Sequence, residues 1–237
     1  RSTLFPYTTL FRSRDKAYEW MKDKINTSWM ENGVQIVDPS RTVIGKDVQI
    51  EKGVIIHPNV EILGKTINKQ GAEILPGSYL DNAIIGQDVI IDSSRITDSS
   101  IGKATTIGPM SHLRNNTNIG ENCRIGNFVE FKNSNFGNGS KCAHLTYVGD
   151  SDVGKNVNFG CGVVTVNYDG KNKFRTTIKD GAFIGSNVNL IAPVTVGTNA
   201  LLAAGSTITS DVDDGDMGIA RSRQSNKSGF GNQYKKK

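Results

Sequence analysis

Aliphatic or aromatic residues recur at every sixth position along most of the chain. Ile44, Ile50, Ile56 and Ile62 make one run, and Ile101, Ile107, Leu113, Ile119, Ile125 and Phe131 a second. Ile178, Ile184, Leu190, Val196, Leu202 and Ile208 make a third. Gly often follows the repeating residue, as at Ile44-Gly45, Ile101-Gly102, Ile119-Gly120, Ile125-Gly126, Ile184-Gly185 and Val196-Gly197. A residue with little steric restriction suits a backbone corner there. Period six with such corners predicts a hexapeptide solenoid over residues 34–212, each hexapeptide a short strand plus a turn. Three hexapeptides make one coil of a triangular prism whose interior takes the repeating side chain. Coils stacked as parallel strands about 4.8 Å apart would make a rod of roughly 40 Å.

The period slips to five between Phe131 and Phe136 and between Val148 and Val153, and VNYDGKNKFRTT interrupts it before Ile178. Solenoids take insertions at their corners, and long ones are commonly functional. Ahead of the solenoid, Ala17, Trp20, Met21, Ile25 and Trp29 recur at helical spacing, with Gly33 placed as a C-cap. This predicts a linker helix over 14–33 whose apolar face needs a partner. The first thirteen residues, RSTLFPYTTLFRS, match nothing that follows and look like a translated sequencing adapter. They are set aside as an artefact.

Composition agrees with a thin, many-cornered architecture: 26 glycines and 7% aromatic residues in 237 cannot fill a wide sandwich. Mean hydropathy is −0.35 and no apolar run approaches membrane-spanning length, so a soluble cytoplasmic protein is expected. Cys123, Cys142 and Cys161 are odd in number and lack metal-ligand spacing, which points to reduced thiols and no zinc site. The net charge of +5 is uneven: within the basic tail 213–237, the stretch from Arg221 carries Arg221, Arg223, Lys227, Lys235, Lys236 and Lys237 with no acidic residue. No aromatic-basic interleaving accompanies it. A solvated or phosphate-gripping arm is therefore favoured over nucleic-acid or membrane binding.

Eighteen residues make one coil, so Arg114 and Lys132 should overlie one another. Two stacked cations either share an anion such as a phosphate or stand as solvated surface charges. His144, in KCAHLTYVGD, is either a structural histidine or a general base. Its spacing from His57 and His112 does not suit a three-histidine metal site.

HLTYVGD, NFGCG, NYDGKNKF, FIGSNVNLIAPVTVG, AAGSTIT and Ala220-Arg221 follow one another along the chain. In that order they resemble the acetyltransferase domain of the bacterial bifunctional glucosamine-1-phosphate N-acetyltransferase/N-acetylglucosamine-1-phosphate uridylyltransferase family (GlmU), over roughly residues 14–237. The resemblance implies an all-β, left-handed parallel β-helix, against the usual right-handed crossover. It implies acetyl transfer from acetyl-CoA to the amine of glucosamine-1-phosphate, without a metal, in a homotrimer whose sites lie between subunits. The uridylyltransferase half, with its glycine-rich loop, has no counterpart in this sequence. Carried over, Arg114, Lys132 and Tyr147 contact the sugar phosphate, Asn158 and Asn167 the sugar, and Lys173 adds a basic group. His144 becomes the general base, with Tyr168 and the Cys161 N–H aimed at the oxyanion. Cys161, Ser186, Ala204 and Arg221 match acetyl-CoA contacts. Glu130, one coil below Tyr147, is a candidate to orient His144. The family's LRP is LRNN here, which predicts a less rigid corner at Arg114. Another hexapeptide acyltransferase and a non-catalytic scaffold are the competing readings; NYDGxNK with the stacked cations argues against the first, and His144 with the coenzyme corner against the second.

Overall fold

The computed structural model describes residues 5–234. A helix, Phe5–Glu31, leads into a stack of short parallel strands. Residues set six apart fall on the same face of every hexapeptide and turn inward: all sixteen residues of the three sequence runs are buried. One outer face is a nine-stranded sheet in which each strand pairs in parallel with those of the coils on either side. Corners demand left-handed backbone, which Asn, Asp or Gly supplies at most of them, as at Asn122 (φ 54°), Gly139 (φ 74°) and Asn156 (φ 55°). The solenoid reaches past the expected end at Val212. Met217–Gly218 still pairs with Leu201–Leu202, because Gly218 lets the last strand close over Leu202 and Ile208.

The helix differs from expectation at its start and in how much of its apolar face docks. It begins at Phe5, inside the segment set aside as an artefact, and residues 1–4 lie outside the described residues. Only its C-terminal third docks: Ile25 and Trp29 pack on the core, while Ala17, Trp20 and Met21 stay exposed. Asn26 fixes that end, its buried amide donating to the Pro39 and Thr42 carbonyls at 2.9 and 3.0 Å. A polar anchor of this kind leaves no trace in a hydrophobic periodicity. Gly33, at φ 87°, ends the helix as expected.

Where the period slips to five, aromatic rings fill the interior. Phe131 and Phe136 meet edge-on at 5.1 Å between centroids, and Phe159 continues the column at 5.8 Å. Asn68 is the opposite case, a fully buried amide in register between Ile50 and Ile85 with neither its oxygen nor its nitrogen bonded. An unsatisfied buried polar group costs about 1–3 kcal/mol. Asn68→Val is therefore expected to raise stability by about that amount, read as a higher denaturant midpoint; an unchanged or lower midpoint would show that the amide is satisfied in solution.

Candidate functional site

Two nine-residue strands, Arg124–Lys132 and Lys141–Gly149, are the longest in the solenoid and lie side by side. Their register stacks His112, Glu130 and Tyr147, and beside them Arg114, Lys132 and Gly149. The sequence expectation that Arg114 and Lys132 overlie one another holds. Each cation, however, has a carboxylate of its own: Arg114 donates to Glu130 through Nε (2.9 Å) and Nη2 (2.6 Å), and Lys132 Nζ lies 3.4 Å from Asp150. Glu130 is thus spent on Arg114, and no bond joins it to His144. The LRNN corner is pinned rather than loose. Asn115 and Asn116 sit at φ 56° and 60°, a conformation closed to proline, and Thr117 Oγ1 bonds the Arg114 carbonyl at 2.8 Å.

Asp150 closes the cation cluster from below. It is buried and accepts hydrogen bonds from the side-chain amides of Asn133 (2.5 Å) and Asn167 as well as from Lys132. Burial pushes its carboxyl pKa up, but the two amides and the Lys132 charge more than offset that and hold it below the usual value. Asp150 is a residue that sequence reasoning missed as part of the site, although it ends the HLTYVGD motif. The hydroxyl end of the Tyr147 ring lies against Gly149, where an added Cβ would stand 2.6 Å from the ring's Cζ. A side chain at 149 would collide with it.

The excursion after Val166 is a small hairpin, bridged at Tyr168 and Lys173 and closed by Phe174 N–H on the Asn167 carbonyl at 2.9 Å. Asp169 makes its turn by accepting the N–H groups of Lys171 and Asn172 at 2.7 and 2.6 Å. Arg175 fastens its exit with a two-pronged pair to Asp152, at 2.8 and 2.7 Å. Folded this way, the hairpin returns Lys173 to the cluster. The Lys132 ammonium against it, with Arg114 adding to the field, pushes the Lys173 pKa below the usual lysine value. Three cations against two carboxylates leave a surplus positive charge that an anion would neutralise.

A second group of residues lies along one corner. Leu145 (φ 39°), Gly162 (φ 76°), Asn187 (φ 55°) and Gly205 (φ 73°) turn the chain there in four successive coils. The residues just before them are His144, Cys161, Ser186 and Ala204, all exposed, and the coils are tied by Gly162 N–H to Leu145 O (2.9 Å), Asn187 N–H to Cys161 O (2.8 Å) and Gly205 N–H to Ser186 O (2.8 Å). Arg221 stands above Gly205, its Cδ 3.8 Å from where a Cβ would be. At about 4.8 Å per coil, four steps separate His144 from Arg221 by roughly 19 Å. The result is a straight track from an imidazole with no hydrogen-bond partner among the described residues to a guanidinium.

The expected site residues are not all brought together within one chain. Asn158 lies in register with Lys141, at the opposite end of that strand from Tyr147 and Gly149, and Leu145 bends the strand between them onto another face of the prism. Tyr168 is exposed and donates its hydroxyl to Gly170 O within its own hairpin at 2.8 Å. The cysteines are free: Cys123 and Cys142 are buried, and burial pushes the Cys142 pKa up to about 12, whereas Cys161 is exposed. Among the described residues, no cluster of histidine, cysteine or carboxylate side chains is placed to hold a metal ion, and no helix is long and apolar enough to cross a membrane. Lys235, Lys236 and Lys237 of the basic tail lie outside the described residues.

The bacterial transferase hexapeptide family (six repeats) matches residues 98–133 and 175–210. The chain is 52% identical to the bifunctional protein GlmU of Exiguobacterium sibiricum over 87% of its own length and 46% of that protein's. GlmU of Shouchella clausii is 50% identical over 89% of this chain and 46% of its own length, and GlmU of Clostridium novyi 49% identical over 91% and 47%. The match falls on the C-terminal part of those proteins. The chain is a homologue of the GlmU acetyltransferase domain. It spans about half the length of the curated GlmU relatives it matches. The hexapeptide repeats imply the left-handed β-helix expected of the GlmU resemblance. A solved UDP-N-acetylglucosamine acyltransferase from Francisella novicida aligns more distantly, at 21% identity and a TM-score of 0.46, over 78% of this chain and 67% of that one.

Proposed function

We propose that the chain transfers acetyl from acetyl-CoA to the amine of glucosamine-1-phosphate, giving N-acetylglucosamine-1-phosphate. The observation that carries this reading is the pairing of two features along neighbouring strands: His144 at the foot of the corner track and, past the Leu145 corner, Tyr147 and Gly149 in register with Glu130 and Lys132 of the cation cluster. The corner track fits an extended coenzyme. Small side chains at Ser186 and Ala204 leave room along it, and Arg221 supplies charge for phosphates at its far end. The cation cluster fits a sugar phosphate, with the Arg114 guanidinium as a planar fork and the lysines as point charges.

In this reading His144 accepts a proton as the substrate amine attacks the thioester carbonyl, and the Cys161 N–H and Tyr168 stabilise the oxyanion before coenzyme A leaves as the thiol. The step needs no metal ion. Acetyl-CoA labelled in its acetyl group should deliver the label to the sugar nitrogen; label on a hydroxyl, or no transfer, would sink the proposal.

The separation of Asn158 from Asn167 by a corner, and the outward position of Tyr168, favour sites completed by neighbouring copies in a homotrimer. Arg221 would then serve a coenzyme bound between two chains. Arg221→Ala is expected to raise the KM for acetyl-CoA about tenfold, the worth of one charge-assisted contact, with the KM for the sugar phosphate unchanged. An unaltered coenzyme KM, or a fully active monomer by light scattering, would contradict this arrangement.

A further inference from the structure

Asp150 sits beneath the sugar-phosphate cluster, and every side-chain group that reaches its carboxylate is a donor. Asn133 donates to Oδ1 at 2.5 Å, and Asn167 Nδ2 and Lys132 Nζ share Oδ2, the latter at 3.4 Å. An ionised carboxylate can only accept, so the end of the Asn167 amide against it must be the NH2 group. That fixes the amide's orientation. Asn167 Oδ1 then faces the other way, accepts no hydrogen bond from the described residues, and is not among the buried unsatisfied atoms, so it reaches solvent, on a side chain whose amide nitrogen shares Asp150 Oδ2 with Lys132.

We infer that Asp150 is a positioning residue: it locks Asn167 so that an acceptor oxygen, rather than an N–H, is presented to the substrate, and it holds Lys132 as the donor next to it. A pocket built this way pairs a cation for the phosphate with an acceptor for an N–H or O–H on the sugar. Asparagine at 150 could not do the same work, because its NH2 would have to face Asn133 or else Asn167 and Lys132, donor against donor. One of the neighbouring amides would then flip, and a flipped Asn167 offers the substrate a donor where it needs an acceptor. The inference rests on the acetyl-transfer reading above and deepens it.

A double-mutant cycle tests it, with Asp150→Asn, Asn167→Ala and the two together, read as kcat/KM for glucosamine-1-phosphate and as KM for acetyl-CoA. Each single substitution should lower kcat/KM for the sugar roughly 10–100-fold and leave the coenzyme KM within about twofold, as expected for loss of a buried, charge-linked contact. The double variant should be no worse than about threefold below the poorer single one, because Asp150 acts through Asn167. Multiplying effects, or an Asp150→Asn variant within twofold of wild type, would overturn the inference while the wild-type activity stood. A wild-type chain inert towards glucosamine-1-phosphate would overturn the functional reading and this inference together. Should Asp150→Asn unfold at the assay temperature, Asp150→Ser replaces it in the same cycle, since a hydroxyl accepts as well as donates and can rotate away from a donor.

Discussion

His144→Ala is expected to lower kcat by about 10²–10⁴-fold, the range typical of a positioned proton acceptor, while both substrates bind within a few fold of wild type. The physical reason lies in where His144 stands. It is exposed at the foot of the corner track, with no hydrogen bond to its ring among the described residues, so the ring is not committed to holding the fold. The acceptor amine is largely protonated near neutral pH, and attack on a thioester needs its lone pair. Removing the imidazole leaves the cation cluster on the neighbouring strands and the Ser186–Ala204 track untouched, so KM should move little. A variant that keeps kcat and loses affinity would make His144 a binding residue. The assembly state of the variant must match wild type for either result to count.

Lys132→Met is the second large effect, and it acts on chemistry and stability at once. Lys132 is mostly buried and its partner Asp150 more so, with side-chain exposures of 14% and 6%. Removing the ammonium deprives the phosphate of a charge-assisted contact, which should cost roughly 10–100-fold in kcat/KM for the sugar phosphate. It also strands a buried carboxylate. Breaking a buried pair costs on the order of 3 kcal/mol, the low end of the usual range here because Asn133 and Asn167 still donate to Asp150. The pH dependence has a definite sign. Asp150 has a lowered folded pKa, so its stabilising contribution is complete above the unfolded value of 3.8 and is lost as pH falls through the lowered one. Without Lys132 the folded pKa rises, and acid unfolding should begin at a higher pH than in wild type. Thermal melts across pH 3–7, taken as roughly the carboxylate range, would show it; an unshifted acid limb would mean that Lys132 and Asp150 are not coupled.

The solenoid was legible in the sequence because its cause is local and repeated: each sixth residue fills the same interior, and Ile101 or Leu190 tells as much about its coil as about the fold. The overlay of Arg114 on Lys132 followed from the same arithmetic. What the period could not show is what the cations do with their charge, since Glu130 and Asp150 reach them from neighbouring coils. The role of Asp150 was hidden for that reason; its partners Asn133 and Asn167 are 17 residues away on either side. The anchoring of the helix by Asn26 left no mark in the sequence pattern, because a buried amide bonded to two carbonyls looks like a solvent-facing residue there. The motif resemblance implied residue roles that spacing could not, and neither spacing nor motif showed that Gly149 makes room for the Tyr147 ring.

The central claim is that an acetyl-transfer group, His144, and a phosphate-reading cluster on the neighbouring strands and the hairpin serve one substrate, and a comparison of acceptors tests it most directly. Thiol release from acetyl-CoA should be measured with glucosamine-1-phosphate and with glucosamine, under identical conditions. The account predicts a kcat/KM at least about 10²-fold higher for the phosphorylated sugar, since its phosphate meets more than one charge-assisted contact among Arg114, Lys132 and Lys173. Equal values for the two sugars, or thiol release with neither, would contradict it.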